Sequence, residues 1–260
     1  MAYRRGAPII AFTPGFVPFF MMFHLVLTVV RVYGRLVYRI RFRGRRHLEG
    51  LRAGVIVSNH TLLFDPGLIA HAISPRRTYF TMLEETALIP WLGTFVRLLG
   101  AIPIPEEASS LRTLDNAAAT AFHTLGFLHF FPEGELYREN QELQAFHPGA
   151  FLVACRRGVP VVPVTTVLHQ RLWRGRGEVT VAGRRLRLPP RVTIVIGEPV
   201  VPAEEDRRSP TRAARRMAER VRGQMQQAID RHGGCKSISR GLMPRLAKRG
   251  AAGHPERRTA

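Results

Sequence analysis

Cysteine is nearly absent from this chain of 260 residues, which contains only Cys155 and Cys235. Two cysteines cannot build the disulfide framework of a small secreted domain, and no Cys-x-x-Cys spacing offers a metal or redox site. No cluster of histidine, cysteine and acidic residues predicts a bound metal either. Hydrophobic residues make up 45% of the chain and charged residues 22%, which excludes global disorder and predicts a packed globular body.

Acidic residues are missing from the first part of the chain and scarce in its last part. Residues 1–47 contain nine arginines and no acid, and residues 207–260 contain fifteen basic residues against three acidic ones. The stretch 48–206 has fifteen basic and sixteen acidic residues and is nearly neutral. Two cationic ends on a neutral body favour contact with a polyanionic surface, either anionic lipid or nucleic acid. Since 37 of the 39 cations are arginine, a biased genome base composition is an alternative source of the excess.

The longest uncharged run covers residues 9–30, which are numerous enough to cross a hydrocarbon layer of about 30 Å. Pro14, Gly15 and Pro18 interrupt its first half, so a continuous helix is expected to begin near Pro18. Beyond the run, arginines recur every four residues as a basic stripe, at Arg31, Arg35 and Arg39. This pattern predicts that residues 1–39 are a membrane-associated segment that lies in the headgroup layer or re-enters it. A single spanning helix and a buried core helix are the alternatives. A cleaved signal peptide is disfavoured, because no small-x-small cleavage site follows the apolar run.

Between residues 40 and 206, short apolar runs alternate with amphipathic segments. The runs that predict strands lie at 39–48, 54–58, 79–83, 101–104, 127–131, 159–168, 178–182 and 191–196. The segments with helical spacing lie at 65–74, 91–99, 110–123 and 149–157. Such alternation requires crossover connections, so we predict an α/β domain over residues 40–206 with a mostly parallel central sheet flanked by helices.

A basic amphipathic helix is predicted after this domain, over residues 207–232. Its apolar positions recur every four residues with arginines between them, at Ala213, Met217, Val221, Met225 and Ile229. The polar, arginine-rich residues 233–260 are predicted to form a disordered tail. Neither end of the chain has a nucleic-acid recognition motif or alternating aromatic and basic residues. A lipid membrane is therefore the predicted partner, and nucleic acid is not.

A histidine and an aspartate five residues apart stand where the second predicted strand gives way to a helix. His60 follows the run 54–58, and Asp65 with Pro66 is typical of a helix N-cap followed by the first helical position. A tight loop lets the Asp65 carboxylate hold one imidazole nitrogen and leaves the other free to take a proton from a hydroxyl. The carboxyl end of a strand is where open α/β sheets place their active sites. Taken alone, these residues also fit an ordinary loop histidine beside a helix cap.

The second constellation is Phe131-Pro132-Glu133-Gly134, again directly after a predicted strand. Glu133 is a candidate ligand for the hydroxyls of an acceptor, and Gly134 allows close approach of the backbone. An exposed Pro-Glu-Gly turn is the alternative. No serine or cysteine near either constellation has the pattern of a nucleophile. Direct attack by a bound acceptor is therefore the simpler chemistry, with main-chain amides of the His60 loop or of Gly134 expected to stabilise the oxyanion.

Four blocks follow one another along the chain: Asn59-His60 with Asp65, Gly100-Ala-Ile-Pro-Ile104, Phe131-Pro132-Glu133-Gly134 and Val159-Pro-Val-Val-Pro163. Over roughly residues 40–200 this series resembles the glycerolipid acyltransferase family, of the lysophosphatidic acid acyltransferase type. The resemblance implies catalysis by His60 as general base, with Asp65 as its orienting partner. It implies substrate contacts for the other matched residues, Asn59, Pro132, Glu133, Gly134 and Pro163.

The resemblance also implies a reaction and a location. The expected activity is O-acyl transfer from a thioester of coenzyme A or acyl carrier protein to the hydroxyl of 1-acylglycerol-3-phosphate or a related lyso-lipid. No cofactor beyond the thioester co-substrate is expected. We expect the protein to act at a membrane, on the cytoplasmic face of the inner membrane, in an oligomeric state that stays open.

The chain departs from the family where cations are expected to bind an acceptor phosphate. Pro105 and Leu136 stand at positions where the family usually has arginine, and Glu84 stands where it often has lysine. Phosphate recognition depends on such cations. Candidate substitutes from the same face are Arg138, Arg156 and Arg157, and Arg138 is assigned to the substrate site. A non-phosphate acceptor, such as a lyso-aminolipid, and a non-catalytic lipid-binding protein are the alternatives.

Overall fold

The computed structural model describes residue 10 and residues 17–104, 110–170, 177–181, 184–188 and 190–242. Seven α-helices lie in these ranges: α1 Val17–Val37, α2 Asp65–Ile73, α3 Glu84–Leu88, α4 Leu92–Leu98, α5 Ser110–Thr124, α6 Gly149–Arg157 and α7 Pro210–Arg231. The strands in the same ranges are β1 Arg39–Arg43, β2 Gly54–Ser58, β3 Tyr79–Leu83, β4 Ala101–Ile104, β5 Phe127–Phe130, β6 Val161–Leu168, β7 Gly177–Val181, β8 Arg184–Leu188 and β9 Arg191–Ile196. Short 3₁₀ turns lie at Arg45–Leu48, Glu204–Arg207 and Lys236–Ile238.

Within the described ranges, seven strands form one sheet in the order β1-β9-β6-β2-β5-β3-β4. The five strands from β6 to β4 are mutually parallel, and β1 is parallel to β9. The β9 strand runs antiparallel to β6. This arrangement confirms the predicted α/β fold with a mostly parallel central sheet flanked by helices. A separate antiparallel pair joins β7 and β8, of which the sequence predicted only the first.

Alternate residues of the central strands face two separate apolar layers. In β2, Val55 and Val57 face the first layer and Ile56 faces the second, and all three are fully buried. Helices α5, α6 and α7 cover the first layer, while α1 and α2 cover the second. The apolar stripe of α7 is buried in the first layer, at Ala213, Met217, Val221, Met225 and Ile229. Both faces of the sheet are thereby shielded from water, as apolar parallel strands require.

The first strand is shorter than predicted because Gly44 turns the chain. The strand β1 ends at Arg43, and most of the remaining predicted residues form the 3₁₀ turn Arg45–Leu48. Gly44 has a φ angle of 75°, and a Cβ atom there would lie 2.0 Å from the carbonyl oxygen of Ile196. Glycine alone accommodates both the conformation and this approach. The prediction of a strand that continues to residue 48 is therefore wrong.

Residues 233–242 follow the surface of the domain, so the prediction of disorder from residue 233 is wrong for this part. The main-chain N–H of Cys235 donates to the carbonyl of Leu168 at 2.8 Å, and Ile238 is buried in the second layer. These contacts offset the entropy lost on ordering the segment. Residues 243–260 of the predicted tail lie outside the described residues.

Helix α1 begins at Val17, one residue before the predicted start, and packs against α2. Phe23 and Leu27 are buried in the second apolar layer. The outer side of α1 exposes apolar side chains at intervals of four residues, namely Val17, Met21, Leu25 and Val29. Helix α1 thus has one apolar face buried against the domain and a second apolar face exposed on its outer side. Across the described ranges, no helix combines the length and the apolar character needed to span a membrane.

Candidate active site

The loop after β2 places His60 and Asp65 in hydrogen-bond contact. The Nδ1 atom of His60 lies 3.2 Å from Oδ2 of Asp65. A carboxylate only accepts hydrogen bonds, so Nδ1 carries the proton and Nε2 keeps its lone pair. The side chain of His60 is 19% exposed, while that of Asp65 is fully buried. This geometry suits a general base whose second nitrogen is accessible to a hydroxyl.

Asp65 is not the helix N-cap that the sequence predicts, because it lies within the first turn of α2. Its Oδ2 atom accepts hydrogen bonds from the main-chain N–H groups of Thr61 and Leu62, both at 2.7 Å. Its Oδ1 atom accepts a longer bond from the hydroxyl of Thr166 at 3.4 Å. The carboxylate therefore closes the loop that carries His60, and these donors stabilise its charge in the interior.

Phe131 supports the imidazole of His60 by ring stacking. Their ring centroids are 3.9 Å apart and their planes differ by 17°. The other contact of Phe131 is edge-on to the ring of His129, at 4.5 Å. The Nε2 atom of His129 lies 2.7 Å from the hydroxyl of Ser58, and burial lowers the pKa of His129 to about 3, which keeps its ring neutral. This support was not predicted from the sequence. The available signal was His129, a histidine inside a predicted buried strand.

Asn59 fastens the His60 loop to strand β6. Its Nδ2 atom donates to the carbonyl of Thr166 at 3.0 Å, and its Oδ1 atom accepts from the N–H of the same residue at 2.8 Å. Asn59 is 1% exposed. Its carboxamide therefore continues the pairing of β2 with β6 beyond the end of the strand. The predicted contact of Asn59 with substrate stays a prediction.

Glu133 accepts main-chain hydrogen bonds from two sides. Its Oε1 atom accepts from the N–H of His60 at 3.2 Å, and its Oε2 atom accepts from the N–H of Gln144 at 3.1 Å. Burial raises the pKa of Glu133 to about 7, and the two N–H donors offset part of that rise. With 4% exposure, the carboxyl group is placed to position the loop. The predicted contact of Glu133 with acceptor hydroxyls stays a prediction.

Pro132 and Gly134 shape the turn that follows β5. The carbonyl of Pro132 accepts from the N–H of His147 at 2.8 Å. Gly134 has a φ angle of 74°, and a Cβ atom there would lie 3.0 Å from the ring of His147. Glycine therefore allows the turn to lie directly against that ring. Pro163 is placed differently, inside β6 and opposite Val57, within the sheet instead of at its loop edge.

The main-chain amides near His60 already have acceptors. The N–H groups of His60, Thr61 and Leu62 donate to carboxylates. The N–H of Gly134 donates to the carbonyl of Phe131 at 3.0 Å. These four donors are engaged within the loops, and the expectation that main-chain amides of this region stabilise an oxyanion stays a prediction.

The segment after β5 runs directly beside the His60 loop. The N–H groups of Tyr137 and Glu139 donate to the carbonyls of His60 and Thr61, at 3.0 and 2.9 Å. Arg138 lies between the two donors and is exposed. Among the described residues, no carboxylate forms an ion pair with its guanidinium. Arg138 is thus an exposed arginine without an ion pair on the segment that lies beside the His60 loop.

Leu136 and Arg157 are less suited to bind phosphate. Pro105 lies outside the described residues, and Leu136 is half-buried and uncharged. Arg157 is engaged in a two-pronged ion pair with Asp115, at 2.7 and 3.0 Å. Between Arg138 and Arg157, the structure therefore favours Arg138 as a phosphate ligand.

Comparisons with known proteins relate this chain to acyltransferases. The family model described as Acyltransferase matches residues 39–167. A 1-acyl-sn-glycerol-3-phosphate acyltransferase from Chlamydomonas reinhardtii is 30% identical over 171 residues, which are 64% of this chain and 48% of the relative. Human 1-acyl-sn-glycerol-3-phosphate acyltransferase beta is 32% identical over 138 residues, which are 49% of this chain and 46% of the relative. The crystal structure of PlsC, the 1-acyl-sn-glycerophosphate (LPA) acyltransferase from Thermotoga maritima, matches with a TM-score of 0.56 at 21% identity, covering 81% of this chain and 79% of that one.

Residues 39–167 belong to the acyltransferase family, and the two relatives support the glycerolipid acyltransferases as the branch to which this chain is similar. The segment matched by the family model includes the His60 loop, the Glu133 turn and Arg138. The PlsC structure shares the fold. The chain spans about half the length of these two curated relatives.

Proposed function

We propose that the protein is an O-acyltransferase that moves a fatty acyl group from a thioester to the hydroxyl of a lyso-lipid. The observation that carries this proposal is the imidazole of His60, which buried Asp65 holds through Nδ1 and which is open at Nε2. Family membership supports the reaction class. The donor is a thioester of coenzyme A or acyl carrier protein, and no other cofactor takes part.

The reaction proceeds by general acid–base catalysis at His60. Its Nε2 atom takes the proton of the acceptor hydroxyl while the hydroxyl oxygen bonds to the thioester carbonyl carbon. The carbon–sulfur bond of the tetrahedral intermediate then breaks, and His60 returns the proton to the departing thiolate. The products are an ester and a free thiol, and Asp65 stabilises the transient imidazolium between the two steps.

The acceptor that we propose is 1-acylglycerol-3-phosphate, since relatives named for that substrate are similar to this chain. Arg138 supports this choice, because it is exposed on the segment that contacts the His60 loop and a guanidinium binds phosphate through two parallel N–H bonds. A lyso-aminolipid is the second candidate. It is favoured by the uncharged Leu136 and by the buried Glu84 at positions where cations are expected.

A panel of lyso-lipids, assayed with one labelled acyl thioester, tests both candidates. We expect lysophosphatidic acid to be the preferred acceptor, with a KM about tenfold higher in Arg138→Gln. Arg52→Gln removes another exposed charge, which precedes β2 at the opposite end of that strand from the loop, and should leave that KM unchanged. Preference for a lyso-aminolipid that is insensitive to Arg138→Gln would replace the proposed acceptor. Full turnover by His60→Ala would refute the acyltransfer mechanism itself.

We also propose that α1 and the start of α4 hold the enzyme on the surface of a lipid membrane. Helix α1 packs against α4, and its outer face is apolar. Trp91, which precedes α4, is 90% exposed, and Phe95 on α4 is also exposed. Tryptophan favours the interface between lipid and water, so these side chains match a headgroup layer. We place this layer on the cytoplasmic face of the inner membrane, as the family resemblance implies. Sedimentation with anionic vesicles should fall in Trp91→Ala, and retention at high salt would show that apolar contacts outweigh arginine charge.

A further inference from the structure

A cleft between strand β1 and helix α7, here called the β1–α7 cleft, is lined by cations that the acyltransfer mechanism does not use. Its volume is about 450 Å³, which is within the range of small-ligand sites. The basic residues among its described lining are Arg43, Arg46, His47, Arg231 and His232, and the acidic one is Glu198.

The alternation of β1 explains why these cations gather on one face. Ile40 and Phe42 point into the second apolar layer, which α1 and α2 cover. The intervening side chains of β1 face the α7 side and are exposed, at Arg39, Arg41 and Arg43. Helix α7 packs on β6, and its last turn supplies Arg231 to the cleft. The cleft therefore lies on the sheet face opposite the exposed apolar side of α1.

The arginines of this cleft form no ion pairs with carboxylates of the described residues. In the part of the chain that the structure describes, Arg43, Arg46 and Arg231 have no ion pair. Other arginines of α7 are paired, as Arg216 is with Asp206 at 3.0 Å. Like charges that share a cleft repel one another, and a bound anion removes that repulsion.

Uncharged groups of the lining add hydrogen-bonding capacity. The Nδ1 atom of His47 donates to the carbonyl of Ile196 at 2.8 Å, which fixes the orientation of its ring in the lining. The Oε1 atom of Gln224 is buried and has no partner among the described residues. The same carboxamide carries two N–H donors, which are the groups that bind an anion. Glu198 opposes an anion, but the arginines outnumber it.

We infer that the β1–α7 cleft binds a small ligand that carries two or more phosphate groups, with Arg43, Arg46 and Arg231 as its phosphate ligands. Guanidinium groups bind phosphate through paired N–H bonds, and several of them in one cleft match a diphosphate or bisphosphate. The position of the cleft on the face away from α1 favours a soluble ligand over a bilayer. The nucleotide end of coenzyme A and a free nucleotide are two sources of this chemistry. The binding does not depend on the acyltransfer chemistry.

Calorimetric titration of the full chain with pyrophosphate, ADP and coenzyme A tests this inference at one moderate ionic strength. We expect Arg43→Gln/Arg231→Gln to weaken binding by about a hundredfold, since two charge-assisted contacts are lost. The matched control is Arg52→Gln/Arg220→Gln, which removes two exposed charges outside the cleft and should change binding by less than about threefold. Glu198→Gln should tighten binding, because it removes the opposing carboxylate. His60→Ala should bind pyrophosphate, ADP and coenzyme A as tightly as the wild type does.

Each outcome of the titration decides the inference. Binding of coenzyme A well above that of ADP and pyrophosphate supports the cleft and assigns it to the nucleotide of the donor. Comparable binding of all three supports the cleft and assigns it to free polyphosphates. Absence of binding, or equal weakening by the control pair, overturns the inference. It is also overturned if the cleft variant loses binding to phosphatidylglycerol vesicles while its affinity for the three phosphates is unchanged.

Discussion

The His60 loop and the β1–α7 cleft differ in how their charged groups are compensated. In the loop, the Asp65 carboxylate is buried and accepts hydrogen bonds from two main-chain amides and an imidazole. In the cleft, Arg43 and Arg231 are exposed and have no carboxylate partner among the described residues. The loop is thus organised before a substrate arrives, whereas the cleft gains stability from a ligand. Removing a charge should therefore be costly at the loop and nearly harmless at the cleft.

The largest effect is expected for Asp65→Asn. An amide donates as well as accepts, so the variant no longer fixes the proton on Nδ1 of His60, and the free Nε2 atom is lost as a base. We expect kcat to fall by about 10³-fold, as measured by release of free thiol from the acyl thioester. A variant that folds and retains kcat within about tenfold of the wild type would contradict the assigned role.

Glu133→Gln probes the buried carboxyl group of the same loop. The pKa of Glu133 is about 7 in the folded protein, above its ordinary value of 4.5, so its ionisation destabilises the fold as the pH rises through that interval. Glutamine does not titrate. Between about pH 5 and pH 8, the free energy of unfolding of the wild type should therefore fall relative to the variant by about 2 kcal/mol. Urea unfolding at both pH values measures this difference, and a difference that is independent of pH would contradict it.

Phe131→Leu probes the ring that supports the imidazole. Loss of the stacked ring lets His60 leave its orientation toward Asp65, and we expect kcat to fall by about tenfold with little change in KM. Phe130→Leu is the matched control, since Phe130 is buried in the first apolar layer and does not contact the imidazole. Equal losses of kcat in the two variants would show that general destabilisation, and not stacking, causes the effect.

The smallest effect is expected for Arg43→Gln. Because this arginine has no ion pair within the described residues, its replacement should leave the free energy of unfolding within about 0.5 kcal/mol of the wild type. At low ionic strength the variant should be equally or slightly more stable, because like-charge repulsion in the cleft is relieved. Urea unfolding at low and high salt measures both values. A decrease in the free energy of unfolding of more than about 1 kcal/mol would show that Arg43 makes stabilising contacts without a ligand, as Asp65 does in the loop.

The features that the sequence predicted well are local ones. His60 and Asp65 are five residues apart, so a single tight loop brings them together, and the period of the apolar runs fixed the alternation of strands and helices. The supporting contacts join residues that are distant in sequence. Glu133 reaches the N–H of His60 across 73 residues, and Ser58 reaches His129 across 71. No periodicity reports such pairs, because they depend on the order of strands in the sheet.

The polar end of the chain also depends on contacts between distant residues that the sequence does not predict. Residues 233–242 have the composition of a disordered tail, but the main-chain bond to Leu168 and the burial of Ile238 hold them on the domain. In the sequence, the cleft arginines were recognisable only as part of the general excess of basic residues. Their grouping follows from the register of β1 beside β9 and from where α7 ends, which composition does not determine.

Nitrogen NMR of histidine-labelled protein tests the central claim most directly, with His60→Gln used to assign the His60 signals. At a pH near 8, we expect the ring of His60 to carry its proton on Nδ1 and to leave Nε2 unprotonated. Asp65→Asn should abolish that preference. A proton on Nε2 in the wild type, or a tautomer that is unchanged by Asp65→Asn, would contradict the account.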